Sequence, residues 1–101
     1  VAIDCEALLR HLQADSMAPV KPLALGVRES DGALHMECRL PHGAHAGLAT
    51  AWLDCAVHGF LCSRERIPLQ RCLVSGDLFG SRIALSWKIE EYPEPDVVVK
   101  G

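Results

Sequence analysis

Apolar residues recur along the chain with two different periods. In DCEALLRHLQA, residues 4–14, Leu8, Leu9 and Leu12 fall on one helical face, and Asp4 stands where it can cap the first turn. Two prolines within residues 16–22 end that helix. The period then falls to two. Leu25, Val27 and Glu29 alternate with residues of the other face, as do Leu34, Met36 and Cys38, with Leu40 continuing the row. Between the two runs stands Asp31-Gly32, a dipeptide that tolerates the positive φ of a tight hairpin turn. Pro41-His42-Gly43 breaks the strand. A long helix is predicted from about Ala44 to Arg66, with Arg64 and Arg66 suiting its negative end and Pro68 stopping it. QRCLVSGDLFGSRIALSWKIEEY reads as two further strands, with Gly76-Asp77 or Gly80-Ser81 as the turn or bulge between them. Glu94-Pro95 interrupts, and DVVVK starts one last strand.

The long helix decides the architecture. Between Ala46 and Cys62 it has no wide polar face, and a helix apolar nearly all round is expected to be enclosed. Ala46, Gly47, Ala49, Ala51, Ala56 and Gly59 let a neighbouring backbone approach closely. The expectation is one α+β domain over residues 1–101, with a strongly curved antiparallel sheet wrapped around one long central helix. A homodimer that continues the sheet suits so short a chain.

Composition narrows the partners. Half of the 101 residues are hydrophobic, enough for one core, but only five are aromatic, so the core is built from aliphatic residues and alanine. The net charge is −3 and no basic block exists, which argues against nucleic acid or an anionic membrane surface as partner. The N-terminal stretch, with Asp4 and Glu6, has no basic n-region of a secretory signal. Asp54 interrupts the one apolar run that approaches the roughly 18 residues of a membrane span. The five cysteines are odd in number and form no Cys-x-x-Cys pair, so neither zinc nor a disulfide framework is expected. Reduced thiols packed as small hydrophobes, and a cytoplasmic setting, fit that usage.

Two features carry candidate chemistry. Asp54 stands two turns into the apolar helix, with Thr50 and His58 four residues away on the same face. An ionised carboxylate there is costly unless paired. It reads either as a polar cluster at an interface or exposed edge, or as a general base or nucleophile held in a cleft. The helix start, His42-Gly43-Ala44-His45-Ala46-Gly47, places small residues where first-turn N–H groups emerge. It serves either as ordinary capping or as a site that polarises a carbonyl oxygen. His42 and His45 lack a third ligand at a suitable spacing, so no metal site is expected.

The stretch LGVRESDGALHMECRLPHGAHAGLATAWLDCAVHGF resembles the hotdog-fold acyl-CoA thioesterases of the phenylacetate-degradation type. Those chains read as a short leading helix, a Leu-Gly start to a hairpin, a His-Gly-Gly or His-Ala-Gly loop, and a helix with Leu-Ala-Asp or Leu-Leu-Asp. Here His45-Ala46-Gly47 fills the loop and Trp52-Leu53-Asp54 the helix motif, at the family's usual spacing. The resemblance covers about residues 5–62. The second half lacks the family's Val-x-x-x-Ile-x-Phe-x-x-Pro strand, so that half either resembles a truncated or diverged member or departs from the family altogether. The resemblance implies hydrolysis of an acyl thioester, CoA- or carrier-linked, by a homodimer or dimer of dimers, without a cofactor. It implies catalytic roles for Asp54 as base or nucleophile, for the Ala46 N–H on the thioester carbonyl, and for His45 in shaping the loop. Gly47, Thr50 and His58 are the expected substrate-binding neighbours.

Two other readings compete. A hotdog domain of this outline could bind a small ligand or acyl group without hydrolysing it. The long helix with a mid-helix Cys55, followed by Ile67-Pro68-Leu69, is also similar to the OsmC-type thiol peroxidases. Cys55 would then be the peroxidatic thiol and Cys72 the second one.

Overall fold

The computed structural model describes residues 2–68 and 71–90. They form an α+β unit of two helices and one four-stranded antiparallel sheet: α1 (Cys5–Gln13), β1 (Ala24–Ser30), β2 (Ala33–Arg39), α2 (Ala46–Ser63), β3 (Cys72–Phe79) and β4 (Arg82–Ile89). The sheet order is β1-β2-β4-β3, so β1 and β3 are the edges among the described residues. The strand expected in DVVVK lies outside the described residues. No helix among those described is long and apolar enough to cross a membrane.

Local chemistry sets most boundaries. Asp4 caps α1 by accepting the Ala7 N–H at 3.0 Å, and the helix buries Leu8 and Leu12. Leu9, expected beside them, is only half-buried. Asp31 and Gly32 both take positive φ (53° and 73°), the I′ geometry whose twist matches the flanking strands. Beyond that turn Leu34, Met36, Cys38 and Leu40 line the core in the expected row. On β1 the row thins out: Leu25 and Val27 are half-buried and Glu29 is exposed, its carboxylate accepting the Ile3 N–H at 3.1 Å.

The β3–β4 turn falls at Gly80-Ser81, with Gly80 at φ +64°. Gly76-Asp77, the other expected turn, lies inside β3 opposite Leu85 and Ala84. Gly76 serves packing there. A Cβ at this position would collide with Leu85 Cδ2 and sit 3.2 Å from the Ala84 carbonyl oxygen. On β4, Ile83, Leu85, Trp87 and Ile89 point into the core.

α2 spans 18 residues rather than the longer range expected. At its start, His45 remains outside as the cap. At its end, Arg64 closes the last turn through its N–H to the Phe60 carbonyl, and Arg66 turns the chain with a left-handed φ of 59°. The helix buries Ala49, Leu53, Val57, Phe60 and Leu61. Gly47, Leu48, Ala51, Cys55, Gly59 and Cys62 are exposed, so the described residues cover α2 on one side only and do not enclose it. On β3 the inward Val74 and Leu78 are likewise 45% and 57% exposed. An all-round apolar surface gives an expectation of enclosure, without recording what covers each side.

Candidate active site

A cleft of about 520 Å³ opens between the first half of α2 and the β3–β4 hairpin. Ala46, Gly47, Thr50 and Asp54 form its helical wall, Ile83 and Leu85 its floor, and Val74 and Leu78 its outer wall. The fold thus brings together four of the six residues singled out from the sequence. The i, i+4 spacing of Ala46, Thr50 and Asp54 places them in one row along the helix. The apolar floor follows from period two on β4, whose buried row it is.

Asp54 is held by residues from two elements. Its Oδ1 accepts the Trp87 indole Nε1–H at 2.9 Å and the His58 Nδ1 at 3.1 Å. Trp87 has no exposed surface, whereas the Asp54 side chain keeps 34% of its own open. Oδ2 makes no hydrogen bond among the described residues. His58 does not line the cleft. It stands one turn beyond Asp54, and its Nε2 is buried without a hydrogen-bond partner.

The helix start supplies donors. His45 Nδ1 accepts the Leu48 N–H at 3.1 Å, which fixes the ring as cap. Gly47 leaves room for that ring, since a Cβ at position 47 would lie 3.2 Å from His45 Cε1. With Leu48 satisfied by the cap, the N–H groups of Ala46 and Gly47 make no hydrogen bond among the described residues. Two unpaired N–H groups at the positive end of a helix suit an anionic or polarised oxygen. Thr50, in the helical wall of the cleft, donates its hydroxyl back to the Ala46 carbonyl at 2.9 Å.

Sequence reasoning missed Trp87. Its signal was a lone tryptophan in the buried row of β4, an indole whose N–H needs an acceptor once buried. The two thiols of the peroxidase reading stand apart in character. Cys55 is on the exposed face of α2. Cys72 is buried, its thiol pushed up by desolvation first and by nearby Cys62 next, and it hydrogen-bonds the Pro68 carbonyl at 3.6 Å. A buried thiol held protonated is a poor second nucleophile. No protein-family model matches the chain, and neither a curated protein nor a solved structure does.

Proposed function

We propose that the chain is a cytoplasmic hotdog-type domain that hydrolyses an acyl thioester, CoA- or carrier-linked, in the cleft between α2 and the β3–β4 hairpin. The observation that supports this most is the pairing of a carboxylate whose Oδ2 is free with an apolar cleft that ends at two unbonded backbone N–H groups. The acyl chain would lie along Ile83 and Leu85. The thioester carbonyl would accept the Ala46 N–H, and Gly47 admits the close approach. A water attacks the carbonyl carbon while Asp54 takes its proton. The negative charge gathers on the carbonyl oxygen at the helix start, where fixed dipoles stabilise it. The C–S bond then breaks, and the proton on Asp54 passes to the departing thiolate.

Geometry bears on the assembly. Ala46 and Asp54 are eight residues apart, so they are separated by about 12 Å along the helix axis. The Ala46 N–H must lie within about 3 Å of the carbonyl oxygen and Asp54 within about 3 Å of the attacking water, a relay that spans less than about 10 Å. This separation favours a site in which the carbonyl held at one chain's Ala46 is served by Asp54 of a second chain. A homodimer solves this if the two cleft openings face each other, with Asp54 of the partner subunit reaching the carbonyl. The side of α2 and the β3 edge that the described residues leave open are the surfaces such a dimer would bury.

A panel of short, medium and aryl acyl-CoA substrates, assayed by thiol release, tests the reading. The wild type should turn over at least one of them. Asp54→Asn should lose about 10² to 10⁴ in rate while keeping its thermal midpoint. If the wild type cleaves none of the panel yet binds acyl-CoA, the non-enzymatic acyl-binding reading replaces this one.

A further inference from the structure

We infer that His58 and Trp87 act as a two-donor clamp that fixes Asp54 Oδ1 and leaves Oδ2 as the working oxygen, which makes both of them positioning residues. The inference rests on the hydrolase reading and assigns His58 to the carboxylate rather than to the substrate.

Two donors converge on one oxygen. The Trp87 Nε1–H reaches Oδ1 at 2.9 Å from β4, and His58 Nδ1 reaches it at 3.1 Å from within α2. A carboxylate oxygen offers two lone-pair sites, so these two bonds saturate Oδ1. They arrive from different elements, so the carboxylate plane is tied to the sheet and to the helix together. Trp87 is wholly buried and cannot swing away. Any intermediate rotation of the carboxylate would cost both bonds at once.

His58 is informative for what it leaves unused. Facing a carboxylate, Nδ1 must carry the hydrogen, which sets the tautomer. Nε2 is then a buried nitrogen with no partner. Native interiors rarely leave a polar atom so. A residue present only to fill space would not bring that orphan with it; the Nδ1–H bond to Asp54 is what the imidazole supplies. Neither donor lines the cleft, so neither is placed to touch an acyl group. Their effect on a reaction runs through the orientation of Oδ2, where small displacements of a reacting atom are costly.

The experiment has a spectroscopic arm and a kinetic arm. The chain has two tryptophans, so a ¹H–¹⁵N spectrum holds two indole signals, and Trp52→Phe assigns them. In the wild type the Trp87 indole proton should resonate downfield and should move upfield in Asp54→Asn. Kinetically, His58→Leu and Trp87→Phe should each lower kcat on the order of ten- to a hundredfold, with KM changed by less than about threefold. His58→Asn, whose amide nitrogen can sit near the former Nδ1, should recover most of the kcat. A Trp87 signal indifferent to Asp54→Asn overturns the clamp whether or not the variants fold. Folded His58→Leu with wild-type kcat overturns it as well. If the Trp87 signal responds but the wild type hydrolyses no thioester, the hydrolase reading falls alone, and the clamp is supported as the frame of a ligand-binding carboxylate.

Discussion

Trp87 and Asp54, 33 positions apart, are joined by an indole N–H to carboxylate hydrogen bond of 2.9 Å. The bond ties the most deeply buried side chain of β4 to the polar spot of an apolar helix. It also explains how α2 tolerates a carboxylate, since two donors meet one of its oxygens and the residue lines an open cleft.

Replacement of Asp54 should therefore depend on what remains at Oδ1. Asp54→Asn keeps an acceptor for Trp87 and should change stability little. Asp54→Ala strands a buried indole N–H and the His58 donor, and should cost about 1 to 3 kcal/mol more than the Asn variant. Paired urea titrations give the comparison. Equal stability of the two variants would show that the bond contributes nothing in solution.

Gly76 packs beneath the Leu85 side chain, which forms part of the cleft floor. In Gly76→Ala the new methyl must push Leu85 aside, because the Ala84 backbone on the other flank cannot yield. Overpacking of this kind costs about 1 to 3 kcal/mol. The displaced leucine should also shorten the acyl chain that the cleft accepts. Thermal midpoints and the chain-length profile of thiol release report the two effects. An unchanged midpoint would mean that β3 lies elsewhere.

A second indole–carboxylate pair, remote from the cleft, ties α2 to the segment after α1. Trp52 Nε1–H donates to Asp15 Oδ2 at 2.7 Å. This bond, followed by the Met17 N–H, holds the Asp15 carboxyl below the usual value of 3.8. A carboxyl depressed on folding stabilises the fold above its unfolded pKa, and that contribution is lost as pH falls through the folded value. The Trp52 indole signal should thus stay constant from neutral pH to about 4 and shift only in more acidic solution. Asp15→Asn should abolish that acid shift.

The parts legible in the sequence are those written locally. The Asp4 cap, the Asp31-Gly32 turn and the row Leu34, Met36, Cys38 each depend on neighbours within a few positions, and period and turn chemistry suffice for them. The row Ala46, Thr50, Asp54 is local too, since a helix fixes which residues share a face. Trp87 was not legible as Asp54's partner, because nothing in a linear pattern records a contact between β4 and α2. The β3–β4 turn was ambiguous because Gly76-Asp77 and Gly80-Ser81 both suit a turn. What selects between them is the pairing of β3 with β4, where Leu85 lies over Gly76. The side of α2 that the described residues leave open was hidden for a similar reason, since apolarity does not name what covers a face.

The β3 edge carries eight residues with Asp77 as their only charge, and Leu73, Val74, Leu78 and Phe79 are exposed. Unprotected edges of this kind recruit another strand. Light scattering at micromolar concentration should give a homodimer. Leu78→Lys places a charge on the inward side of that edge and should shift the equilibrium to monomer with α1, β1 and β2 intact by circular dichroism and amide exchange. A wild type that is monomeric at this concentration would count against an active site shared between subunits.

The strongest test of a shared site is complementation between two inactive variants. Ala46 is the first helical residue of α2, where proline is tolerated because the N–H it removes has no helical partner. The preceding His45, at φ −82° and ψ 103°, already has the extended conformation that proline requires before it. Ala46→Pro should therefore fold and lack the N–H proposed to hold the carbonyl. Asp54→Asn lacks the base. Each homodimer should be inactive. In a heterodimer made by unfolding and refolding an equal mixture, one site pairs the intact Ala46 N–H of one chain with the intact Asp54 of the other. The second site has neither. Random reassortment makes half the dimers mixed, each with one of its two sites restored, so activity should return to about a quarter of the wild-type value. If both groups acted within one chain, neither variant would carry a complete set and mixing would restore nothing. Recovery near a quarter, absent when the chains are mixed without unfolding under conditions where dimers do not exchange, is the expected result.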